Sequence, residues 1–389
     1  MIPAEIDRLL RPLEEFEALR RKSVRLGDRL CDLSYANPYE GVQDGAVEAM
    51  EAALREQRLL GLQYAPFGGQ TIARRVVADA LRDSHGLPFV FRDIILTPGA
   101  MSALQIALHA AAEPGSEVVI PVPCWLDYPV YALHAGARPV MVPPRETETM
   151  LDVAGIAEAI TPRTRAVILS NPGNPTGISH DRARLAELAQ TLRKRETAFG
   201  TSIALIADET HRDFTAPGSY ETLAQHFPRT IIVYSFGKYH FLQGQRLGYA
   251  AVGPDHPERT ELSSELERWT RITGVATPTA LMQRALPALL ALQHDQSWLE
   301  TWRARVVERL RAAGYEVVPA NATLFVYVKT PQGVSDRDFV SALAQRGVLV
   351  LGADVFHHEG YFRISLTGSE DMLERALDVL EEIGATCPA

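Results

Sequence analysis

Cysteine is scarce in this 389-residue chain, and the little there is follows no pattern. Cys31, Cys124 and Cys387 are an odd, scattered set without metal-ligand spacing. That argues against a disulfide framework or a cysteine metal site, and for reduced thiols in a cytoplasmic protein. No apolar run approaches the length of about 18 residues that a membrane-spanning helix needs. The first residues, from Met1 to Arg25, are charged throughout and lack the apolar stretch of a signal peptide. Basic clusters are missing too: 48 acidic residues face 39 basic ones, for a formal net charge of -9. Nucleic acid and anionic membrane are therefore poor partners. Low-complexity tracts, internal repeats and Ser/Gly linkers are absent. What remains is an ordinary globular composition, 46% apolar, in a chain long enough for one large and one small domain or for two or three.

Strand-like and helix-like runs alternate. Apolar strand candidates are Ile94–Leu96, Glu117–Ile120, Pro139–Val142, Ala166–Leu169, Ile203–Ala207, Ile231–Tyr234 and Tyr249–Val252. Helical spacing lies between several of them, as in Met101–Ala112 and Asp181–Lys194. This order predicts an α/β fold whose large domain holds a mostly parallel seven-stranded sheet covered by helices on both faces. Ligands of such sheets bind beyond the carboxyl ends of the strands. The residues with the most chemistry follow Leu96, Ile120, Leu169, Ala207 and Tyr234. After about residue 290 the pattern changes. A helical run at Ser297–Ala313 precedes short strands at Tyr315–Pro319 and Leu324–Val328. A helix at Ser335–Arg346, strands at Val348–Leu351 and Tyr361–Leu366, and a helix at Asp371–Ile383 follow. The expected division is a large domain over 46–285 and a smaller α/β domain made of 1–45 with 286–389.

One stretch carries the sharpest chemistry: Ser235-Phe236-Gly237-Lys238, with Arg246 eight residues on. A strand delivers the lysine, and a serine and an arginine stand beside it. Such a lysine can form a Schiff base with an aldehyde, while the other two hold a phosphate. Pyridoxal 5'-phosphate (PLP) carries both groups. A solvated surface lysine is the bland alternative. Asp208, in Asp208-Glu209-Thr210-His211, follows a buried strand, where a carboxylate needs a partner. It is either a helix N-cap or the partner of the pyridine nitrogen of PLP, keeping that nitrogen protonated. Asn171-Pro172-Gly173-Asn174-Pro175-Thr176-Gly177 is a compact turn whose asparagine can donate to a phenolate oxygen. Thr97-Pro98-Gly99-Ala100-Met101 opens a helix, and backbone amides there can hold a phosphate. Trp125 can stack on the pyridine ring or fill a core. Tyr64 can reach a phosphate or sit in a surface loop. Arg363, on an apolar strand, needs an anion, either a structural carboxylate or that of a substrate.

Together these residues resemble the class I/II aminotransferase family, with the aspartate aminotransferase type of PLP fold. The resemblance runs from about Asp32 to Ile383. It implies Lys238 as the Schiff-base lysine and proton shuttle, Asp208 as pyridinium partner, and Asn174 as donor to the cofactor's phenolic oxygen. The backbone of Gly99, Ala100 and Met101, with Ser235 and Arg246, becomes the phosphate cradle, and Trp125 the stacking ring. Arg363 becomes the α-carboxylate clamp, with Asn174 and Tyr35 beside the substrate. It also implies a homodimer in which Tyr64 serves the neighbouring site. The expected reaction moves the amino group of an α-amino acid to a keto acid.

The chain departs from the family pattern at His211, where a tyrosine is usual. An imidazole there is expected to donate to the cofactor and to titrate near neutral pH. It also resembles the cystathionine β-lyase-like C–S lyases of the same fold, so β-elimination is the alternative reaction. A DNA-binding regulator is disfavoured by the acidic charge and by the short segment before Asp32. Tyr35, Trp125, His240 and Gln245 are pocket candidates by position, and no second arginine can be assigned to a distal substrate carboxylate.

Overall fold

A computed structural model of the chain describes residues 2–39, 44–56, 63–145 and 150–384. Cys387 lies outside the described residues. Among them are twelve strands. These are β1 (Cys31–Asp32), β2 (Ile94–Thr97), β3 (Glu117–Pro121), β4 (Arg138–Val142), β5 (Thr164–Ser170) and β6 (Ala204–Asp208). They continue with β7 (Thr230–Ser235), β8 (Gly248–Val252), β9 (Phe325–Lys329), β10 (Val348–Leu349), β11 (Leu351–Gly352) and β12 (Tyr361–Ser365).

Seven of these form the main sheet, in the order β2-β8-β7-β6-β5-β3-β4. All seven strands expected from the sequence are present. Pairings from β7 to β4 are parallel, and β8 is antiparallel to both its neighbours. Six strands therefore point one way, and their carboxyl ends share one edge. The apolar runs are nearly unbroken because both faces are covered. Along β7, Ile231 and Val233 join a core cluster with Leu104, Ala107 and Leu266 from the helices Ala100–Ala111 and Arg259–Ile272. The alternate residues Ile232 and Tyr234 face the other way, toward Val77, Leu286 and Leu289. This is the two-residue period of a strand applied to a sheet with two buried sides.

Local signals fix the helix ends. Asp181 accepts a hydrogen bond from the Arg184 amide at 2.8 Å and starts the helix Arg182–Phe199. Gly200, left-handed at φ 65°, ends it.

The second architecture is smaller. Strands β11, β12 and β9 make an antiparallel sheet, and β1 pairs with β10 in parallel. The helices Ser297–Ala312, Asp336–Gln345 and Glu370–Gly384 cover it. Phe16, Leu30 and Leu33 from the N-terminal segment share its apolar core with Val306, Phe339 and Leu377. Two sequence expectations change here. Tyr315–Pro319 is not a strand but a single bridge between Val317 and Val328. The run Val348–Leu351 splits at Val350, its first half pairing with β1 and its second with β12. No described helix is long and apolar enough to cross a membrane.

Candidate active site

A cavity of about 380 Å³ opens at the carboxyl edge of the main sheet. The segments after β2, β3, β5, β6 and β7 line it. The N-terminal segment at Tyr35–Asn37 and the smaller sheet, through Phe325, Leu351 and Arg363, close its other side.

One corner is built for an anion. Gly99 precedes the helix Ala100–Ala111 at φ 88°, with no side chain capping the first amides. Those amides are the unpaired donors of a helix start and carry the positive end of its dipole. A Cβ on Gly99 would lie 2.7 Å from Nη2 of Arg246, so the missing side chain is what admits the guanidinium. A Cβ on Gly248 would come within 2.8 Å of the Gly99 Cα, so the two backbones meet there as bare chain. Arg246 donates to the Gln243 carbonyl at 2.8 Å and pairs with no carboxylate among the described residues. Ser235 is buried at the same edge.

Lys238 and Asp208 face the same cavity. Among the described residues no hydrogen bond or ion pair holds the Lys238 amine. Burial, with Arg363 and Arg246 nearby, lowers its pKa to about 8. Both oxygens of Asp208 are fixed: Oδ2 accepts from the Tyr128 hydroxyl at 2.6 Å and Oδ1 from the Thr210 amide at 2.9 Å. Burial raises its pKa nonetheless. A carboxylate so placed gains most from a cation that the described protein does not put in contact with it.

Arg363 is 4% exposed, yet among the described residues no carboxylate pairs with it. Its Nη1 donates to Oδ1 of Asn174 at 2.8 Å and its Nη2 to the Ser34 carbonyl at 2.6 Å. The guanidinium lies 4.0 Å from the Phe325 ring centroid and 4.9 Å from that of Phe356, while Nε has no partner among the described residues. Leaving a cation in that state costs free energy that an anionic ligand would return. With Oδ1 accepting from Arg363, the amide hydrogens of Asn174 remain free to donate to a ligand in the cavity.

Of the residues expected from sequence, Ala100, Met101, Trp125, Asn174, Asp208, His211, Ser235, Lys238, Arg246, Arg363 and Tyr35 all line this one cavity. Gly99 shapes it from behind. Tyr64 is fully exposed and outside its lining. His240 and Gln245 are not in the lining either. His240 is buried against His294, with Nδ1 and Nε2 2.8 Å apart, and Gln245 faces outward. The Tyr35 ring lines the cavity, but its hydroxyl donates to Glu17. His211 also behaves differently from expectation. It is 2% exposed, and burial beside Lys238 and Arg363 pushes its pKa far below the ordinary value. That shift favours the neutral imidazole. Its Nδ1 is buried without a partner among the described residues, and Phe325 packs edge-on at 5.3 Å.

Tyr128 and Gln243 are among the contributors that escaped the sequence reading. Tyr128 supports Asp208 across 80 positions; its place three residues after Trp125 was the available signal. Gln243 lines the cavity and donates to the Ala36 carbonyl at 2.9 Å, tying the N-terminal segment over the mouth. Tyr128→Phe removes a hydrogen bond that holds the Asp208 pKa down. The acidic limb of the pH–rate profile should therefore move to higher pH, with a loss at the optimum of less than about tenfold. An unmoved limb would mean that Tyr128 only packs.

Similarity to known proteins agrees with this geometry. Residues 31–380 match the family described as aminotransferase class I and II. An aspartate/prephenate aminotransferase of Cereibacter sphaeroides is 30% identical, the match covering 92% of this chain and 91% of that one. A probable aspartate/prephenate aminotransferase of Thermus aquaticus is 28% identical over 92% of each. The structure of a Thermus thermophilus aspartate aminotransferase double mutant superposes with a TM-score of 0.84, at 26% identity, over 95% of this chain and 96% of that one. A profile match across most of the chain, over an aminotransferase-like fold and a cavity of the expected composition, leaves one conclusion: the chain belongs to the class I and II aminotransferase family.

Proposed function

We propose that Lys238, Asp208 and Arg363 perform the chemistry of this chain, and that Gly99, Ala100, Met101, Ser235 and Arg246 hold the phosphate of its cofactor. The chain is a PLP-dependent aminotransferase, moving the amino group of an α-amino acid to a keto acid. One observation carries the residue assignment. Among the described residues, Lys238, Arg246 and Arg363 converge on a single cavity with no carboxylate partner, and Asp208 is the one carboxylate that lines it. That set fits a ligand with an aldehyde, a phosphate and a basic ring nitrogen, together with a substrate carboxylate.

Bound PLP supplies an aldehyde that takes up the amino group and a ring that draws electrons from the substrate Cα. Lys238 would hold that aldehyde at rest and, once released, carry the proton at Cα. Its pKa, lowered to about 8, brings the free amine within easier reach at neutral pH than in an ordinary lysine. Asp208, fixed by Tyr128 and Thr210, would keep the ring nitrogen protonated. Asn174 and the neutral His211 each have an N–H to donate to the phenolic oxygen. Trp125 would cover the ring. Arg363 would grip the α-carboxylate, which orients the substrate Cα toward the lysine.

The test is stoichiometric. A single L-amino acid, without keto acid, should convert the loaded protein's cofactor once to its amine form, and an added keto acid should restore it. Continuous release of ammonia with a keto acid would instead indicate β-elimination, which the aminotransferase names of the relatives do not favour.

Arg363→Met separates binding from stability. Loss of the clamp should lower kcat/KM by about 10²–10³-fold, mainly through KM. The melting temperature of the cofactor-free protein should hold or rise, because a buried guanidinium without a counter-ion is gone. A clear fall in melting temperature with unchanged KM would make Arg363 a structural residue.

The proposal extends to a homodimer in which Tyr64 reaches the neighbouring phosphate. The side chains of Tyr64, Phe67, Ile72 and Ile272 are large, apolar and exposed, which supports a covered face. Sedimentation should show a dimer, and Tyr64→Phe should weaken cofactor binding roughly tenfold. A monomer with full cofactor affinity would refute this part. The domain division at about 45 and 285 is proposed too, supported by the core that the N-terminal segment shares with the C-terminal one. A cytoplasmic location fits the buried free thiols of Cys31 and Cys124.

A further inference from the structure

Glu209 stands between two residues that face the cavity, Asp208 and His211, but does not line it. Its carboxylate is held from three directions. Oε2 accepts from Nε2 of His85 at 2.9 Å and from Nη1 of Arg212 at 3.2 Å, and Oε1 accepts from the Thr222 hydroxyl at 2.6 Å. His85 is the last residue of the helix Thr71–His85. The Glu209 and Arg212 side chains are 1% and 10% exposed. Burial opposes ionisation here, but His85 and Arg212 outweigh it and bring the Glu209 carboxyl down to about 2. That shift favours the charged pair.

Arg212 carries the connection onward. Its Nη1 also donates to the Tyr249 hydroxyl at 2.7 Å, and its guanidinium lies 4.1 Å from the centroid of the Tyr234 ring. Tyr234 and Tyr249 are cross-strand partners on β7 and β8, with their rings stacked at 5.2 Å. The segments joined in this way are the ones that deliver groups to the cavity. Glu209 adjoins Asp208 after β6. Tyr234 adjoins Ser235 and precedes Lys238 by four residues, and Tyr249 follows Arg246 by three. A buried ion pair is a weak source of stability, because well-packed apolar residues of similar volume often replace it without loss. What this pair gains by its position is a fixed spacing between those segments.

We propose that Glu209 and Arg212 are positioning residues for the reaction: their buried pair locks the segments that bear Asp208, Lys238 and Arg246 into one arrangement, so that ring nitrogen, reacting amine and phosphate are held in register. This rests on the cofactor roles proposed above. Neither residue touches the cofactor or the substrate. Both act through the backbone that carries the groups that do, which is where a displacement of a fraction of an ångström is felt most.

The test compares PLP-loaded wild type with two variants, using the best donor from a panel of L-amino acids. Glu209→Gln combined with Arg212→Met removes both charges together, so neither is left buried alone and the fold should hold. At saturating cofactor its kcat should fall roughly 10–100-fold, the cost of a small misplacement of reacting groups. The donor KM should stay within about threefold, because Arg363 lies on β12, outside the joined segments. Two readouts do not depend on turnover. Affinity for PLP should fall about tenfold, and the visible circular dichroism of the bound cofactor, which reads how asymmetrically the ring is held, should weaken. Tyr249→Phe keeps the ring and removes the hydroxyl that Arg212 holds. It should show the same pattern with a loss of about three- to tenfold in kcat, and it decides alone if the double variant does not fold. Wild-type kcat or wild-type dichroism in the saturated variants, or a loss carried by KM, overturns the inference and leaves amino transfer standing, whatever the melting temperature does. If fully loaded wild type converts its cofactor with no donor, the transfer reading itself falls and this inference with it.

Discussion

Lys238→Ala is expected to lower amino-group transfer by at least about 10⁴-fold, because it removes both the covalent anchor for the cofactor and the general base at Cα. The fold should survive, since among the described residues the Lys238 amine has no partner to lose. The stability effect should have the opposite sign from the activity effect. Folding lowers the pKa of this amine from 10.5 to about 8, so the folded state resists protonation. That cost is present in full below pH 8 and vanishes as pH rises through 8 to 10.5. Cofactor-free protein should therefore gain stability over that window. Lys238→Met, which keeps the volume and removes the charge, should be more stable than wild type at pH 7 by roughly 1–3 kcal/mol and should lack the rise. Denaturant unfolding at several pH values checks this. A variant less stable at pH 7, with wild-type pH dependence, would mean that the amine is not strained by burial.

Asp208→Asn is the second large effect. The substitution keeps the size of the side chain and removes its negative charge. One oxygen remains to accept from Tyr128 or from the Thr210 amide, while the new amide hydrogens face the other donor. Without a carboxylate the ring nitrogen has no reason to stay protonated, so the electron sink weakens. Turnover should fall by about 10²–10³-fold and cofactor affinity should drop as well. Saturating the variant with cofactor should not restore the rate. Recovery of full turnover at high cofactor concentration would show that Asp208 only helps binding. The two effects are not additive, because both residues act on the same proton transfer.

The main sheet was legible because its strands are buried on both faces. Val118–Ile120 and Ile231–Val233 read as unbroken apolar runs, and turns loaded with polar chemistry follow their carboxyl ends. The smaller sheet was less legible. Tyr315–Pro319 has the apolar composition of a strand, yet forms one bridge only, and composition does not show whether a neighbour's backbone runs alongside. Val348–Leu351 reads as one run, although its two halves serve different sheets.

In the site, the residues found from sequence are those that must sit at a fixed point of a local motif: Lys238 after β7, Asp208 at the end of β6, Gly99 before its helix. The misses depend on side-chain direction or distant contact. His240 lies two residues from Lys238, but its ring turns to His294. Gln243 reaches back across 207 positions to the Ala36 carbonyl. The neutral state of His211 depends on Lys238 and Arg363, brought beside it by folding, and on burial that its own position in the sequence does not reveal.

The central claim is that Lys238 is the amine that bonds to the cofactor. The chain has only four lysines, Lys22, Lys194, Lys238 and Lys329, so the claim can be read directly. Lys22 and Lys194 are exposed, and Lys329 pairs with Glu316 at 2.9 Å. Hydride reduction of the PLP-loaded protein should fix the cofactor covalently, and peptide mass mapping should place its mass on the peptide that contains Lys238. The same mass on another lysine, or on none, would contradict the account.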